Sequence, residues 1–255
     1  MNIVLLAAGR GSRLSELTQA THKSLLPVSG KPALSYLLDE IMQADAQDIV
    51  IVTGYRHDDI ETLIAGRYGR AIRCVLNPRY AEDTNILSTQ IGVDALAAPE
   101  RGYLIIETDV VMVPEGWRRL FASCKEPQSK WATLGHYHAQ LTGGALKADD
   151  TGAVQQIVYA PHYDQQFEGW PKLLGALYVG ECEVASDRAL RREAIDRSIA
   201  QYYMAPWVDH LQGLPCRQLD LTGCYGASFN DIETYRRVDH EYQKGGGSHG
   251  TRGVG

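Results

Sequence analysis

The sequence has no excess of positive charge, no cysteine pair at metal-binding spacing and no apolar run approaching membrane-spanning length, and each absence removes a class of function. Lys and Arg total 25 against 31 Asp and Glu, a formal charge of −6. A surface of that sign has no general attraction for polyanions, so nucleic acid is not an expected partner and any phosphate must be held by a local site. The five cysteines, Cys74, Cys124, Cys182, Cys216 and Cys224, are odd in number and never spaced as CxxC, which argues against a disulfide framework and against a zinc site. They read as core thiols in a reducing compartment. The opening Met1-Asn2-Ile3-Val4-Leu5-Leu6 has no basic leader before a long apolar stretch, so the expectation is a cytoplasmic protein with no membrane attachment.

What is present is an ordinary globular composition: 255 residues, 44% hydrophobic and 22% charged, enough to bury a full core. Short apolar runs at 2–6 (NIVLL), 48–53 (DIVIVT), 71–76 (AIRCVL) and 102–107 (GYLIIE) suit strands buried on both faces. Between them, 32–44, 57–66 and 85–97 carry apolar residues at helical spacing, as in Leu34, Leu37, Leu38 and Ile41. That alternation predicts an α/β fold with a parallel sheet, whose ligand crevice lies beyond the carboxyl ends of the strands. The loops after Leu6 and Glu107 are therefore expected to face a ligand. From about 131 the rhythm changes to strands with turn signals, then a helical stretch at 183–203. There is no internal repeat, and the glycine-rich GGGSHGTRGVG at the end reads as a flexible linker.

The chemistry starts directly after the first run, at Leu6-Ala7-Ala8-Gly9-Arg10-Gly11-Ser12-Arg13-Leu14. Glycines allow a backbone to approach a phosphate closely, and Arg10 and Arg13 add charge suited to a triphosphate. A Gly-x-Gly by itself also serves as a simple turn. A dinucleotide site calls for a third glycine where Leu14 stands, and Lys23-Ser24 lacks the glycine that a P-loop requires. A second segment follows, His22-Lys23-Ser24-Leu25-Leu26-Pro27-Val28-Ser29-Gly30-Lys31-Pro32, in which a lysine in a proline-stiffened loop can reach the same phosphates.

LAAGRGSRL followed by HKSLLPVSGKP resembles the signature of the sugar-1-phosphate and phosphocholine nucleotidyltransferases, roughly LAAGxGxRL then PKxLxxVxGKP. The resemblance implies a Rossmann-like, mostly parallel sheet flanked by helices, with a small mixed β extension on the acceptor side. It implies one domain over 1–243, with a nucleotide-binding half at 1–130 and an acceptor half at 131–243, before a tail at 244–255. The loop from Leu6 to Ser12 is then the triphosphate cradle, and Arg13 and Lys23 neutralise the reacting phosphates. It also implies Mg²⁺: Glu107-Thr108-Asp109 stands where the family carries G-D or E-G-D, which makes Asp109 a ligand, and Ser228-Phe229-Asn230-Asp231-Ile232 fits its late strand–helix junction. Asn230 is then the second ligand, or Asp231 if the register shifts by one, and either residue also suits a helix cap. Thr108 departs from the pattern, in which glycine is usual, and its side chain is expected either to crowd the ribose or to ligate.

Cys74 to Ser88, CVLNPRYAEDTNILS, is similar to the N-P-x-Y…N-N-I-x-S segment of the phosphocholine and phosphonate cytidylyltransferase branch, which implies CTP. Asn85 and Ser88 are candidates to contact nucleotide or acceptor, although Asn85 is equally an N-cap candidate. Tyr159, Tyr163, Trp170, Tyr178, Tyr202, Tyr203 and Trp207 offer aromatic surface that a quaternary amine would use, or that packing would use. The expected reaction is transfer of CMP from CTP to a small phosphonate or phosphoalcohol with release of pyrophosphate. A sugar-1-phosphate nucleotidyltransferase using UTP, dTTP or GTP is the alternative, followed by a nucleotide-binding module without catalysis. A homodimer, or a domain tethered beyond the tail, remains open.

Overall fold

The computed structural model describes residues 1–245, and the glycine-rich tail lies outside the described residues beyond Gly245. In chain order its strands are β1 (Asn2–Ala7), β2 (Pro27–Val28), β3 (Lys31–Pro32), β4 (Asp48–Thr53), β5 (Arg73–Leu76), β6 (Tyr103–Glu107), β7 (Val110–Met112), β8 (Ser129–His136), β9 (Gly143–Ala148), β10 (Val154–Ala160), β11 (Pro171–Val179), β12 (Cys216–Asp220) and β13 (Gly226–Ser228). The helices are α1 (Ser15–Thr18), α2 (Ala33–Gln43), α3 (His57–Arg67), α4 (Ile86–Ala95), α5 (Pro114–Ser123), α6 (Val184–Arg197), α7 (Ala205–Asp209) and α8 (Ile232–Gly245).

The four apolar runs become β1, β4, β5 and β6, all parallel, in the order β5-β4-β1-β6. β1, β4 and β6 are covered on both faces, which is why they read as continuous apolar runs rather than as alternation. The run at 71–76 departs from that expectation: β5 is the edge of the sheet, with Arg73 and Leu76 exposed. On one face α2, α3 and α5 pack through Leu37, Ile60 and Trp117; on the other α4, α6 and α7 contribute Val93, Val184 and Trp207. Burying each of the core leucines Leu34, Leu37 and Leu38 of α2 stabilises the fold by about 2 kcal/mol. Beyond β6 the sheet turns antiparallel. β11 pairs with β6 through Ala176↔Ile106, then with β8 and β9, and β10 and β12 complete nine strands.

The helix expected over 183–203 stops at Arg197. Residues 199–203 instead run beside the start of α4: Ile199 and Gln201 accept hydrogen bonds from the backbone of Thr84 and Ile86, and the Tyr203 amide donates to Asn85 Oδ1 at 2.7 Å. Tertiary pairing of the backbone outcompetes local helical propensity there. A third, small cluster forms where α8 packs Val238 and Tyr242 onto Leu26, Val28 and Ala33. It fastens the end of the described chain to the hairpin that follows Lys23. No helix among the described residues is long and apolar enough to cross a membrane.

Candidate active site

Three segments far apart in sequence meet at the carboxyl ends of β1 and β6. After β1 the chain turns at Gly11, whose φ of +63° is a conformation glycine adopts without strain. A Cβ there would lie 3.1 Å from Lys23 Cβ, so the absence of a side chain also lets the lysine stem pack against the loop. Lys23 begins a single 3₁₀ turn capped by His22, whose Nδ1 accepts the Ser24 amide. The third segment arrives through a two-stranded ribbon. β13 pairs antiparallel with β7, Ala227 opposite Val111, and the Phe229 amide donates to the Asp109 carbonyl, which sets Asn230 beside Asp109.

Lys23 Nζ is the meeting point, donating to Asp109 Oδ2 at 2.6 Å and to Asn230 Oδ1 at 2.8 Å. The two oxygens therefore converge on one cationic centre. Asp109 Oδ1 is buried without a hydrogen-bond partner, an oxygen left over for a further cation. Mg²⁺ takes one or two protein carboxylates or amide oxygens and fills its other positions with water and substrate phosphate oxygens. Asp109 and Asn230 fit that demand as a hard, all-oxygen donor pair. Around them lies a cavity of about 170 Å³, lined by Leu6, Ala7, Ala8, Gly9 and Gly11 on one side and by Asn85, Ser88, Glu107 and Tyr202 on the other. Glu107, Tyr202 and Asn230 also line an adjoining cavity of about 470 Å³, which opens between β9, β11 and the 199–204 segment.

The charges in this crevice are set by burial. The Glu107 carboxyl is pushed up to about 7, first by burial and then by the neighbouring Asp109 carboxylate, with Lys23 and Lys172 opposing. Gly175, at φ +84°, makes room for it, since a Cβ there would stand 2.8 Å from Glu107 Oε2. His22, 2% exposed, falls to about 4 because burial and the adjacent Lys23 charge both disfavour the imidazolium.

Leu6, Ala7, Ala8, Gly9, Gly11, Lys23, Asn85, Ser88, Asp109 and Asn230 all lie on the smaller cavity, while Arg13 and Asp231 lie on the larger one. Arg10 and Ser12 are exposed outside both, with the Arg10 guanidinium over the Tyr55 ring at 5.6 Å. The Asp231 carboxylate faces its own helix, accepting the Thr234 amide at 2.8 Å as the cap of α8, so Asn230 is the residue aimed at Lys23. Asn85 stands at the start of α4 but makes no side-chain cap; its amide joins Glu107 Oε1 to the Tyr203 backbone. The cap is Asp83, which accepts the amides of Leu87 and Ser88 and the Ser88 hydroxyl. The Ser88 hydroxyl also accepts from Asn77, so it is engaged within the protein rather than free for a ligand.

Thr108 is engaged within the protein. Its hydroxyl donates to the Leu6 carbonyl at 2.9 Å and lies 2.7 Å from Ser24 Oγ, which ties the end of β1 to the lysine turn. Of the seven aromatics open to either acceptor binding or packing, Tyr159, Tyr202 and Tyr203 line the larger cavity. Trp207 is core, Tyr178 packs at the opposite end of the sheet, and Tyr163 and Trp170 pack beside Tyr137 and Phe167. All five cysteines are free thiols, but Cys182 is exposed rather than in the core. Lys172 and Glu107, both on the larger cavity, carry no role in the sequence reading, although each is a charged residue at the end of an apolar strand. That is a pattern that marks groups held in place for a reason.

Residues 3–197 match the model of the MobA-like NTP transferase domain. The chain belongs to this family. The domain is 37% identical over 134 residues to the choline-phosphate cytidylyltransferase of Haemophilus influenzae, covering 52% of this chain and 52% of that one. It is 31% identical over 156 residues to the CMP-5'-(3-aminopropyl)phosphonate synthase of Streptomyces rubellomurinus, covering 61% of this chain and 24% of the relative. The matched stretch thus spans about half or less of these relatives' length. The solved CTP:phosphocholine cytidylyltransferase of Streptococcus pneumoniae superposes with a TM-score of 0.78 at 20% identity, covering 94% of this chain and 98% of that one, which shows a shared fold.

Proposed function

We propose that this protein transfers CMP from CTP to a small phosphonate or phosphoalcohol, releasing pyrophosphate in a Mg²⁺-dependent reaction. The observation that carries the reading is the convergence of Lys23, Asp109 and Asn230 on one point beside the glycine loop. The acceptor is already an anion at neutral pH, so no nucleophilic serine or general base is required; positioning and charge neutralisation are the whole task. The backbone from Leu6 to Gly11 presents amides to the triphosphate. Lys23 supplies a positive charge that Asp109 and Asn230 aim, and it stabilises negative charge growing on the phosphate oxygens as the bond to pyrophosphate breaks. Bound to Asp109 and Asn230, Mg²⁺ supplies further neutralisation of those oxygens. Arg13 lines the larger cavity, which this reading assigns to the acceptor. CTP is favoured because both sequence relatives are named for cytidylyl or CMP-linked products.

The test is a matrix of nucleoside triphosphates against phosphonates, phosphocholine and hexose 1-phosphates, with pyrophosphate as readout. CTP is expected to exceed UTP by about tenfold or more in kcat/KM, the cost of one mismatched buried hydrogen bond. Lys23→Ala is expected to lower kcat by about a hundredfold. Preference for UTP or a purine nucleotide with a hexose 1-phosphate overturns the cytidylyl reading.

A further inference from the structure

Lys172 is the second residue of β11, a strand apolar along Leu173, Leu174, Ala176, Leu177 and Val179. It pairs opposite Ala145 of β9, and its ammonium lies over the start of that strand, 3.5 Å from where a Cβ on Gly143 would sit. Its one hydrogen bond among the described residues goes to the neighbouring Leu173 carbonyl at 3.2 Å, and no carboxylate stands within ion-pair distance. Two N–H donors therefore point without partners into the larger cavity. Two further cations, Arg13 and Arg237, line the same cavity, and the buried Trp131 contributes to its wall. The cavity adjoins the reacting centre through Glu107, Tyr202 and Asn230, which line both spaces.

A lysine held this way costs stability. Burial drives its ammonium down to about 8 against the pull of Glu107 and Asp109. An ammonium with free donors and no ion-pair partner, in a largely polar cavity that also carries Arg13 and Arg237, is arranged for an anion that arrives from outside.

We propose that Lys172 binds the phosphonate or phosphate group of the acceptor and holds that group toward the reacting centre. This rests on the nucleotidyltransferase reading, and it assigns the acceptor's anionic end to the β9–β11 wall. Its other end then lies toward Tyr159 and Tyr202, whose hydroxyls are 2.6 Å apart at the rim. Lysine serves here as a point charge, so arginine should substitute in part.

The experiment titrates methylphosphonate calorimetrically into the protein loaded with a non-reacting CTP analogue, for wild type, Lys172→Met and Lys172→Arg, and records the Tm of each. Lys172→Met is expected to weaken methylphosphonate binding by about tenfold to a hundredfold, as for loss of a charge-assisted hydrogen bond. Lys172→Arg should retain most of the affinity. Lys172→Met should also raise Tm by about 3 °C or more, because a desolvated charge is removed, whereas a structural lysine would lower it. In turnover, the acceptor KM should rise with the methylphosphonate Kd while the CTP KM stays within about threefold. Binding of methylphosphonate by Lys172→Met within about twofold of wild type overturns the assignment. If wild type transfers no nucleotide to any phosphorylated or phosphonylated acceptor, the nucleotidyltransferase reading falls, and the titration still decides what Lys172 binds.

Discussion

His22 shows how a single side chain sets the shape of the lysine turn. Its Nδ1 accepts the Ser24 amide only when that nitrogen is unprotonated, and its main chain is held by Asp59, which Arg56 grips in turn. The folded protein holds this group near 4, whereas the unfolded chain binds the proton at 6.5. Between those values the unfolded state carries more protons, so stability is full above about pH 6.5 and declines as pH falls toward about 4. The decline from this one group is on the order of 3 kcal/mol. Urea denaturation of His22→Asn across that window should show a shallower pH dependence than wild type; identical slopes would mean that His22 is not protonation-sensitive in the fold. At this scale the sequence discloses Lys23 and Asp109 through their motif positions but not what Thr108 does. Its role depends on Leu6 and Ser24, which sequence distance conceals.

Among the elements, α4 depends on a cap that the sequence disguises. Asn85 occupies the expected position, yet the helix amides go to Asp83, two residues earlier, while Asn85 reaches sideways to the 199–203 segment. Asp83 also receives Asn77 and the Ser88 hydroxyl, and burial holds its carboxyl above the ordinary value against those bonds. Asp83→Ala should cost about 2 kcal/mol in urea denaturation, from the lost cap and the buried donors left unpaired. It should also reduce turnover, because the Asn85 and Ser88 wall of the nucleotide cavity loosens. A variant as stable as wild type would show that α4 is held by its packing alone. The parallel strands were legible because their apolar runs are bounded by turns and alternate with amphipathic helices. The break after Arg197 was not, because helical propensity continues through a stretch whose backbone is claimed by Thr84 and Ile86.

For the whole molecule, the site depends on closure between its ends. Asn230 reaches Lys23, 207 positions away, because β13 zips onto β7 and α8 packs over the hairpin following Lys23. The sheet order and the ribbon together make two adjoining cavities with Glu107 and Tyr202 at the junction, and the proposed reaction sets nucleotide and acceptor side by side in them. The central claim is that an acceptor oxygen attacks the α-phosphorus of CTP there. Phosphorus NMR of the product formed from CTP and a phosphonate carrying heavy oxygen on its phosphorus tests this directly. The account predicts the label in the new P–O–P bridge and in the phosphonate's remaining oxygens, with unlabelled pyrophosphate. Label in pyrophosphate, or a bridge containing only ordinary oxygen, would contradict it.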